Sequence, residues 1–387
     1  MNNKIKQLIG STFMDIADAI ETGQIQEKIK IGLTTLGSEH KTENLIKGAE
    51  LAAKHNENIQ IVLIGPKADT KLKIIEANSE QEMHTTMENL LDEKTIQACV
   101  TMHYNFPMGV STVGRVMTPA TGKEILLAST TGTASAHRSE AMVKNALHGI
   151  ITAKSMGIET PTIGILNLDG ARQAERALKE LKANGYPIQF AESMRSDGGA
   201  VMRGNDLLCG TADVMVTDTL TGNIMMKVFS SYTTGGSYEA MGYGYGPGVG
   251  MDYHRTILIL SRASGIPVVA NAIAYAASLA KGNLNTKCKQ EYEKAKQAKL
   301  DQILEGLRKD TKKHKPEKEV TKPDKETVTG QISGIDIMDL EDAVEALWQA
   351  GIYAESGMGC TGPIVRVNED KIDNAAAVLA EKELITP

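Results

Sequence analysis

Short apolar runs alternate along this chain with stretches of helical period, the pattern of an α/β protein. Residues 3–22 place Ile5, Leu8, Ile9, Phe13, Ile16 and Ile20 at helical spacing, which predicts an N-terminal helix. Residues 29–33 read as a buried strand, 42–54 as a helix, and 59–64 as a second strand closed by Gly65-Pro66. Together they make a βαβ unit with a crossover of ordinary length. A helical stretch then leads into Cys99, an irregular loop covers 104–119, and a strand is expected at 124–127. A hydroxyl-rich turn and a helix from Arg138 to Met156 follow it. A second α/β series starts at 162–166, with a helix over 171–184 and strands near 188–190 and at 213–216. The short apolar runs 257–260 and 267–270 read as further buried strands.

From about residue 287 the chain becomes rich in Lys and Glu and thin in apolar anchors, so a helix to about Lys309 and a solvated connector are expected. A compact tail follows: a helix over 339–350, a turn at 355–363, a strand at 364–367 and a helix over 371–384. These shifts divide the chain into a first α/β domain (1–150), a second (151–285), a charged helix and linker (286–330), and a C-terminal segment carrying Cys360 (331–387). The tail is short for a core of its own, so it is expected to dock on the main body or to swing against it.

Composition narrows the function. Hydrophobic residues at 41% and charged residues at 23% are ordinary for a globular protein. Aromatics make up only 4%, which argues against a large aromatic binding platform. The formal charge of −6 argues against a nucleic-acid surface. Four cysteines lie far apart without a CxxC pair, so neither a zinc site nor a disulfide framework is indicated. The opening residues lack a signal-type hydrophobic region, and no apolar run reaches membrane-spanning length. The expectation is a cytoplasmic protein with reduced thiols, no membrane, no metal and no cofactor.

Three segments could carry chemistry. In 213–223 a buried strand runs into Thr217-Asp218-Thr219-Leu220-Thr221-Gly222-Asn223 and then a helix over 224–229. The backbone N–H groups of such a turn, with hydroxyls from Thr219 and Thr221 and a close approach allowed by Gly222, suit an anion. The competing reading is an ordinary turn with Asp218 or Thr221 as helix cap. Ser129, Thr130, Thr131 and Gly132 with Arg138 form a second candidate, where Arg138 either offers a fork to a phosphate oxygen or is a surface residue at a helix start. No GxxxxGK[ST] run is present, which excludes a Walker-type nucleotide site.

The third segment is Ser356-Gly-Met-Gly-Cys360-Thr-Gly-Pro363. A thiol among glycines has little bulk to bury it, and nearby N–H groups favour its thiolate and a later oxyanion. Such a thiolate can hold an acyl group as a thioester; the plainer reading is a small residue in a tight turn. Cys99 is the second thiol of interest, either reactive or a buried helix residue. The glycine-dense run 243–250 reads as a mobile flap or a connecting loop.

The run ADVMVTDTLTGNIMMKV resembles the strand-turn-helix of the phosphate acyltransferases of fatty acid and phospholipid synthesis, which make acyl phosphate from acyl carrier protein. The opening IGLTTLGSEHKTENLIKGAELAA and the segment TIGILNLDGARQAERALKELK are similar to the same family in order and spacing. The resemblance covers roughly 28–285. It implies the two-domain open-sheet α/β fold of the phosphate acyltransferase and phosphotransacetylase type, with an interdomain cleft and here a small C-terminal αβ tail. The Lys-rich linker and the GMGCTGPIVRV tail depart from that family and resemble the α-subunit family of component C of glycine/sarcosine/betaine reductase complexes.

That second resemblance implies acetyl transfer to inorganic phosphate through a Cys360 thioester, forming acetyl phosphate. Its implied partners are a ketoacyl-synthase-like β subunit in a hetero-oligomer and a carboxymethylated selenoprotein. Ser129–Gly132, Asp218 and Thr221–Asn223 would then hold phosphate, with Asp218 orienting rather than contacting it. Two alternatives stand beside this reading. One is a free-standing acyl-carrier-protein-dependent phosphate acyltransferase of lipid synthesis. The other is a non-catalytic scaffold subunit.

Overall fold

A computed structural model of the chain describes residues 10, 13, 16, 17, 20, 28–196, 198–313, 322–336, 339–359, 362–382, 384 and 385. The first parallel half begins with β1 (Ile29–Thr34), α1 (Thr42–His55), β2 (Ile59–Gly65) and β3 (Lys73–Glu76). It continues through α2 (Glu80–Asp92) into β4 (Ala98–Thr101). The second half uses β5 (Val110–Met117), β6 (Glu124–Thr133), α3 (Arg138–Ser155), β7 (Thr162–Leu166) and α4 (Ala171–Ala183). Short β8 (Gln189–Phe190), β9 (Val201–Met202) and α5 (Gly204–Cys209) lead to β10 (Val214–Val216) and α6 (Thr219–Ser231). The chain then returns through β11 (Gly246–Val249), β12 (Ile257–Ile259) and α7 (Ile266–Lys281).

Among the described residues, twelve strands form one sheet in the order β3-β2-β1-β4-β12-β11-β5-β6-β10-β7-β8, with β9 also on β7. Strands β3 to β12 of that order are mutually parallel, and so are β6, β10, β7 and β8. Between them, β11 pairs antiparallel with both β12 and β5, and β5 antiparallel with β6. Following those senses across the sheet, the two parallel halves run in opposite directions. Their C-terminal ends, where ligands collect in open α/β sheets, therefore lie at opposite edges.

Several sequence expectations change. Residue 150 lies inside α3, and β11 and β12 insert beside strands of the N-terminal segment, so the spatial halves do not follow a boundary at 150. Cys99 lies in a strand, because α2 ends at Asp92 and a four-residue apolar run is too short for periodicity to classify. The loop expected at 104–119 contains β5, and β6 extends to Thr133, so Ser129–Gly132 belong to a strand end. Residues 267–270 lie in α7, which carries a proline in its first turn, a position where the missing N–H costs nothing. The glycine-rich run 243–250 contains β11 at the sheet's centre. A Cβ on Gly246 would stand 1.9 Å from the Val113 carbonyl oxygen, so its glycines serve close packing, not mobility.

Helices α8 (Leu284–Gln297) and α9 (Leu300–Lys313) take up the charged segment. Their apolar positions, Cys288, Tyr292, Ala295, Ile303 and Leu304, join the main core, and Lys289, Lys294, Lys296 and Lys309 are exposed. Beyond the connector, β13 (Gly330–Ser333), α10 (Leu340–Gln349), β14 (Ala354–Gly359), β15 (Gly362–Val367) and α11 (Ile372–Glu381) build a small module on an antiparallel sheet. Ile332, Val344, Leu347, Val365 and Leu379 give that module a core of its own. No helix among the described residues is long and apolar enough to cross a membrane.

Helix α3 is the pillar of the second half, with most of its length buried. Its Glu140 is 1% exposed and bonds Arg308 of α9 at 2.6 and 2.8 Å and Lys144 at 2.7 Å. Burial alone would raise this carboxyl, but the hydrogen bonds from Arg308 and Lys144 outweigh it and hold the group at about 2. An unfolded glutamate titrates near 4.5. The stability contributed by Glu140 is thus complete above that value and is lost as pH falls through about 2. In denaturant titrations over that window, Glu140→Gln should lose stability with a shallower slope than the parent. Equal slopes would count against this assignment.

Candidate functional site

The site lies at the C-terminal edge of the second half, where β6 and β10 end side by side and α6 begins. Strand β10 hands over at Thr217, whose N–H donates to the Ala128 carbonyl at 2.6 Å and whose hydroxyl donates to the Ser129 carbonyl at 3.0 Å. Helix α6 starts at Thr219, earlier than the sequence pattern indicates, because Asp218 caps it. The Asp218 carboxylate accepts the Thr221 N–H at 2.9 Å and the Thr221 hydroxyl at 3.0 Å. A helix has no intrahelical acceptors for its first-turn N–H groups. The cap occupies that of Thr221 and leaves those of Thr219 and Leu220 at the helix's positive end.

The first turn of α6 is clamped to the end of β6. The Asn223 side-chain amide donates to the Thr130 carbonyl at 3.0 Å, and the Thr219 hydroxyl donates to the Gly132 carbonyl at 3.0 Å. Ser129 Oγ lies 3.2 Å from Thr219 Oγ1. Gly222 packs directly on the strand: a Cβ there would sit 1.8 Å from the Ser129 carbonyl oxygen and 2.6 Å from Thr217 Oγ1. Its missing side chain therefore serves a helix–strand contact, where the sequence suggested approach to a ligand. Gly132 has φ +78°, and a Cβ there would meet the Val110 carbonyl oxygen at 2.5 Å.

The sequence-derived residues divide three ways. Ser129, Thr130, Thr131 and Gly132 meet Asp218, Thr221, Gly222 and Asn223 in one place. Within that set the Thr130 hydroxyl is engaged, donating to the Tyr245 carbonyl at 2.7 Å and lying 2.7 Å from Thr112 Oγ1, whereas Thr131 and Gly132 are half-buried. Arg138 stands apart as an anion fork, because its guanidinium pairs with Asp169. Cys99 is removed from the site: it is fully buried in β4, and burial raises its thiol far above the ordinary range. A thiol that cannot ionise is not a nucleophile. Cys360, with Thr361, lies outside the described residues.

Sequence reading missed a buried polar chain beneath the turn. Asn145 of α3 donates its amide to the Thr217 carbonyl at 3.0 Å, and its own oxygen accepts the Ser111 hydroxyl at 2.8 Å. His148 Nδ1 lies 2.7 Å from Ser111 Oγ, and Nε2 lies 2.7 Å from the Tyr292 hydroxyl. With the Ser111 proton committed to Asn145, the neutral ring donates from Nδ1 and accepts at Nε2. Burial, with the Lys144 charge adding to it, lowers His148 to about 3, so the ring is neutral near pH 7. The signal was present in the sequence: Asn145 and His148 sit three apart among the apolar positions of a long helix.

The C-terminal module docks at this same edge. Strand β7 runs parallel to β10, and the residues after its C-terminal end open α4. The Asp336 carboxylate accepts the N–H of Gly170 at 3.4 Å and of Arg172 at 3.1 Å, and so caps α4 from outside. Asp339 accepts from Gln173 at 3.3 Å and from Arg176 at 3.1 Å. Residues 360 and 361 connect β14 and β15 of this docked module.

These features define a class, and similarity to known proteins gives it a family. The profile of the family described as "Fatty acid synthesis protein" matches residues 29–366, and the chain belongs to that family. Within it the chain stands with the component C α subunits. It is 68% identical over 381 residues, covering 98% of this chain and 99% of the relative, to "Glycine/sarcosine/betaine reductase complex component C subunit alpha" of Peptoclostridium acidaminophilum. A phosphate acyltransferase of Thermotoga petrophila is 27% identical over 240 residues, covering 52% of this chain and 67% of its own length. Among solved structures, a branched-chain phosphotransacylase from Enterococcus faecalis V583 aligns with a TM-score of 0.47 at 17% identity. It covers 65% of this chain and 99% of its own.

The contact at Gly222 has a direct consequence for stability. Gly222→Ala forces a methyl group against a backbone carbonyl that cannot move aside without lifting α6 from β6. A loss of about 1–3 kcal/mol is expected from such overpacking, read by denaturant unfolding. A variant as stable as the parent would show that the helix start tolerates displacement.

Proposed function

We propose that this chain transfers an acetyl group from a cysteine thioester to inorganic phosphate, forming acetyl phosphate, as the α subunit of a component C. The observation that carries the proposal is the meeting of the β6 end with the first turn of α6, at the edge where the Cys360-bearing module docks. Phosphate would be held by the Thr219 and Leu220 N–H groups and by the Thr131 hydroxyl, while Ser129, fully buried with its hydroxyl donating to the Thr131 carbonyl at 3.3 Å, braces the strand end. Asp218 acts from behind, fixing the turn through Thr221, since its charge repels phosphate. Asn223 and Gly222 set the distance between helix and strand.

In the transfer step a phosphate oxygen attacks the thioester carbonyl of acetylated Cys360. The C–O bond forms, negative charge collects on the carbonyl oxygen, and the C–S bond then breaks, releasing acetyl phosphate and the Cys360 thiolate. Phosphate is a weak, strongly hydrated nucleophile, so positioning and desolvation supply the rate; well-oriented reactants can gain about 7–11 kcal/mol at most. The 68% identity to a component C subunit α supports a place in such a complex. A ketoacyl-synthase-like β subunit and a carboxymethylated selenoprotein are proposed as its partners. No cofactor beyond phosphate as substrate is proposed.

A second reading draws on the phosphate acyltransferase similarity over about half the chain: a free-standing acyl-carrier-protein-dependent enzyme. It gives the docked C-terminal module no task.

Brief incubation with labelled acetyl phosphate should place label on Cys360. Retention of full labelling in Cys360→Ala would sink the thioester assignment. Asn223→Ala, which unties the first turn of α6 from the end of β6, should slow arsenate-dependent breakdown of acetyl phosphate by about 100-fold, the scale on which a small misplacement of a reacting group lowers a rate. If both variants keep parental rates, the chain is a scaffold subunit and not the catalyst.

A further inference from the structure

Helices α3 and α6 lie on opposite faces of β10. Val214 and Val216 pack in one core with Met142 and Ala146 of α3, whereas Met215 packs in another with Met226 and Phe229 of α6. Asn145 of α3 therefore reaches the start of α6 from the far side of the sheet, where its amide donates to the Thr217 carbonyl at 3.0 Å. That carbonyl also accepts the Ser129 N–H at 3.3 Å. In a trans peptide the N–H points opposite to the C=O, so holding this carbonyl fixes the plane of the peptide that enters the Asp218 cap.

The donors behind Asn145 all run one way. A carbonyl can only accept, so the Asn145 amide nitrogen faces Thr217 and its oxygen takes the Ser111 hydroxyl proton at 2.8 Å. Ser111 Oγ is then the acceptor for His148 Nδ1 at 2.7 Å, and His148 Nε2 accepts from the Tyr292 hydroxyl at 2.7 Å. Burial pushes the Tyr292 hydroxyl well above its ordinary range, so it keeps its proton. Ser111, Asn145, His148 and Tyr292 are all buried, and a chain whose donors share one direction polarises along its length. The strongest pull is thus applied to the one peptide that joins strand to helix at the candidate site.

We infer that Asn145, oriented by Ser111 and His148, is a positioning residue for the anion turn: by holding the Thr217 carbonyl it sets the direction in which α6 presents the Thr219 and Leu220 N–H groups. The role rests on the proposed transfer to phosphate. It differs from that of Asn223 and Thr219, which tie α6 to β6 on the near face, since Asn145 acts through the backbone of the turn and touches no reacting atom.

The test is arsenate-dependent breakdown of acetyl phosphate by the full chain. Asn145→Ala should raise the KM for arsenate about tenfold, the scale of one lost hydrogen bond. Partial unfolding would lower kcat and leave that KM at the parental value. His148→Leu, which removes the donor to Ser111 at a distance from the turn, should raise KM in the same direction. His148→Asn, whose amide offers an N–H near the place of Nδ1, should bring it back toward the parent. Hydrogen exchange of the Thr221 amide, capped by Asp218, should quicken in Asn145→Ala and His148→Leu but not in His148→Asn. A parental KM and parental exchange in the first two variants, or a KM raised equally by both His148 substitutions, would overturn the inference while the transfer reaction stands. A parent chain with no arsenate-dependent turnover would instead sink the transfer to phosphate and the positioning role with it.

Discussion

The antiparallel insertion of β11 and β5 between two parallel half-sheets is the constraint on which the rest depends. It reverses strand direction partway across the sheet and so separates the C-terminal edges of the halves. Glycine makes the insertion possible, since at Gly246 the neighbouring backbone stands where a Cβ would be. The edge formed by β6, β10 and β7 gathers the Ser129–Gly132 strand end, the capped start of α6 and the docking surface of the C-terminal module. The edge formed by β1, β4 and β12 lies on the other side, and Cys99 is sealed within that half.

At the site the same economy recurs at smaller scale. Backbone carbonyls of β6 accept from Thr217, Thr219 and Asn223, so three side chains around the helix start are tied to one strand. Asn145, Ser111 and His148 support the turn from beneath with a buried chain that a neutral imidazole completes. A buried network of this kind holds its geometry because every displaced member leaves an unsatisfied polar group.

The C-terminal module is held by a different kind of interaction. Its hydrophobic core is its own, and its attachment to the body is polar: two aspartates at the N-terminus of α4. Carboxylates there are favoured by the helix dipole. The module thus has a core of its own, and these polar contacts place it on the body.

Much of this was legible in the sequence, and the failures have physical causes. The longer amphipathic helices over 42–55, 138–155 and 171–183 showed in their 3.6-residue period, and β1, β2 and β7 in their buried apolar runs. The strand-to-helix turn at Asp218–Asn223 was readable, since a buried apolar run passes there into hydroxyl residues, Gly and Asn that suit a helix start. Short apolar segments such as 98–101 and 267–270 were not, because a few apolar residues have no measurable period. Which glycines serve close packing, which edge each strand end faces, that Arg138 is already paired, and that Cys99 is sealed in the core depend on residues distant in the chain. The sequence by itself determined the longer elements, through their periodicity, and carried the motifs by which the chain resembles its family. Only the tertiary structure decided which elements meet, since strand direction and burial are properties of neighbours that local sequence does not contain.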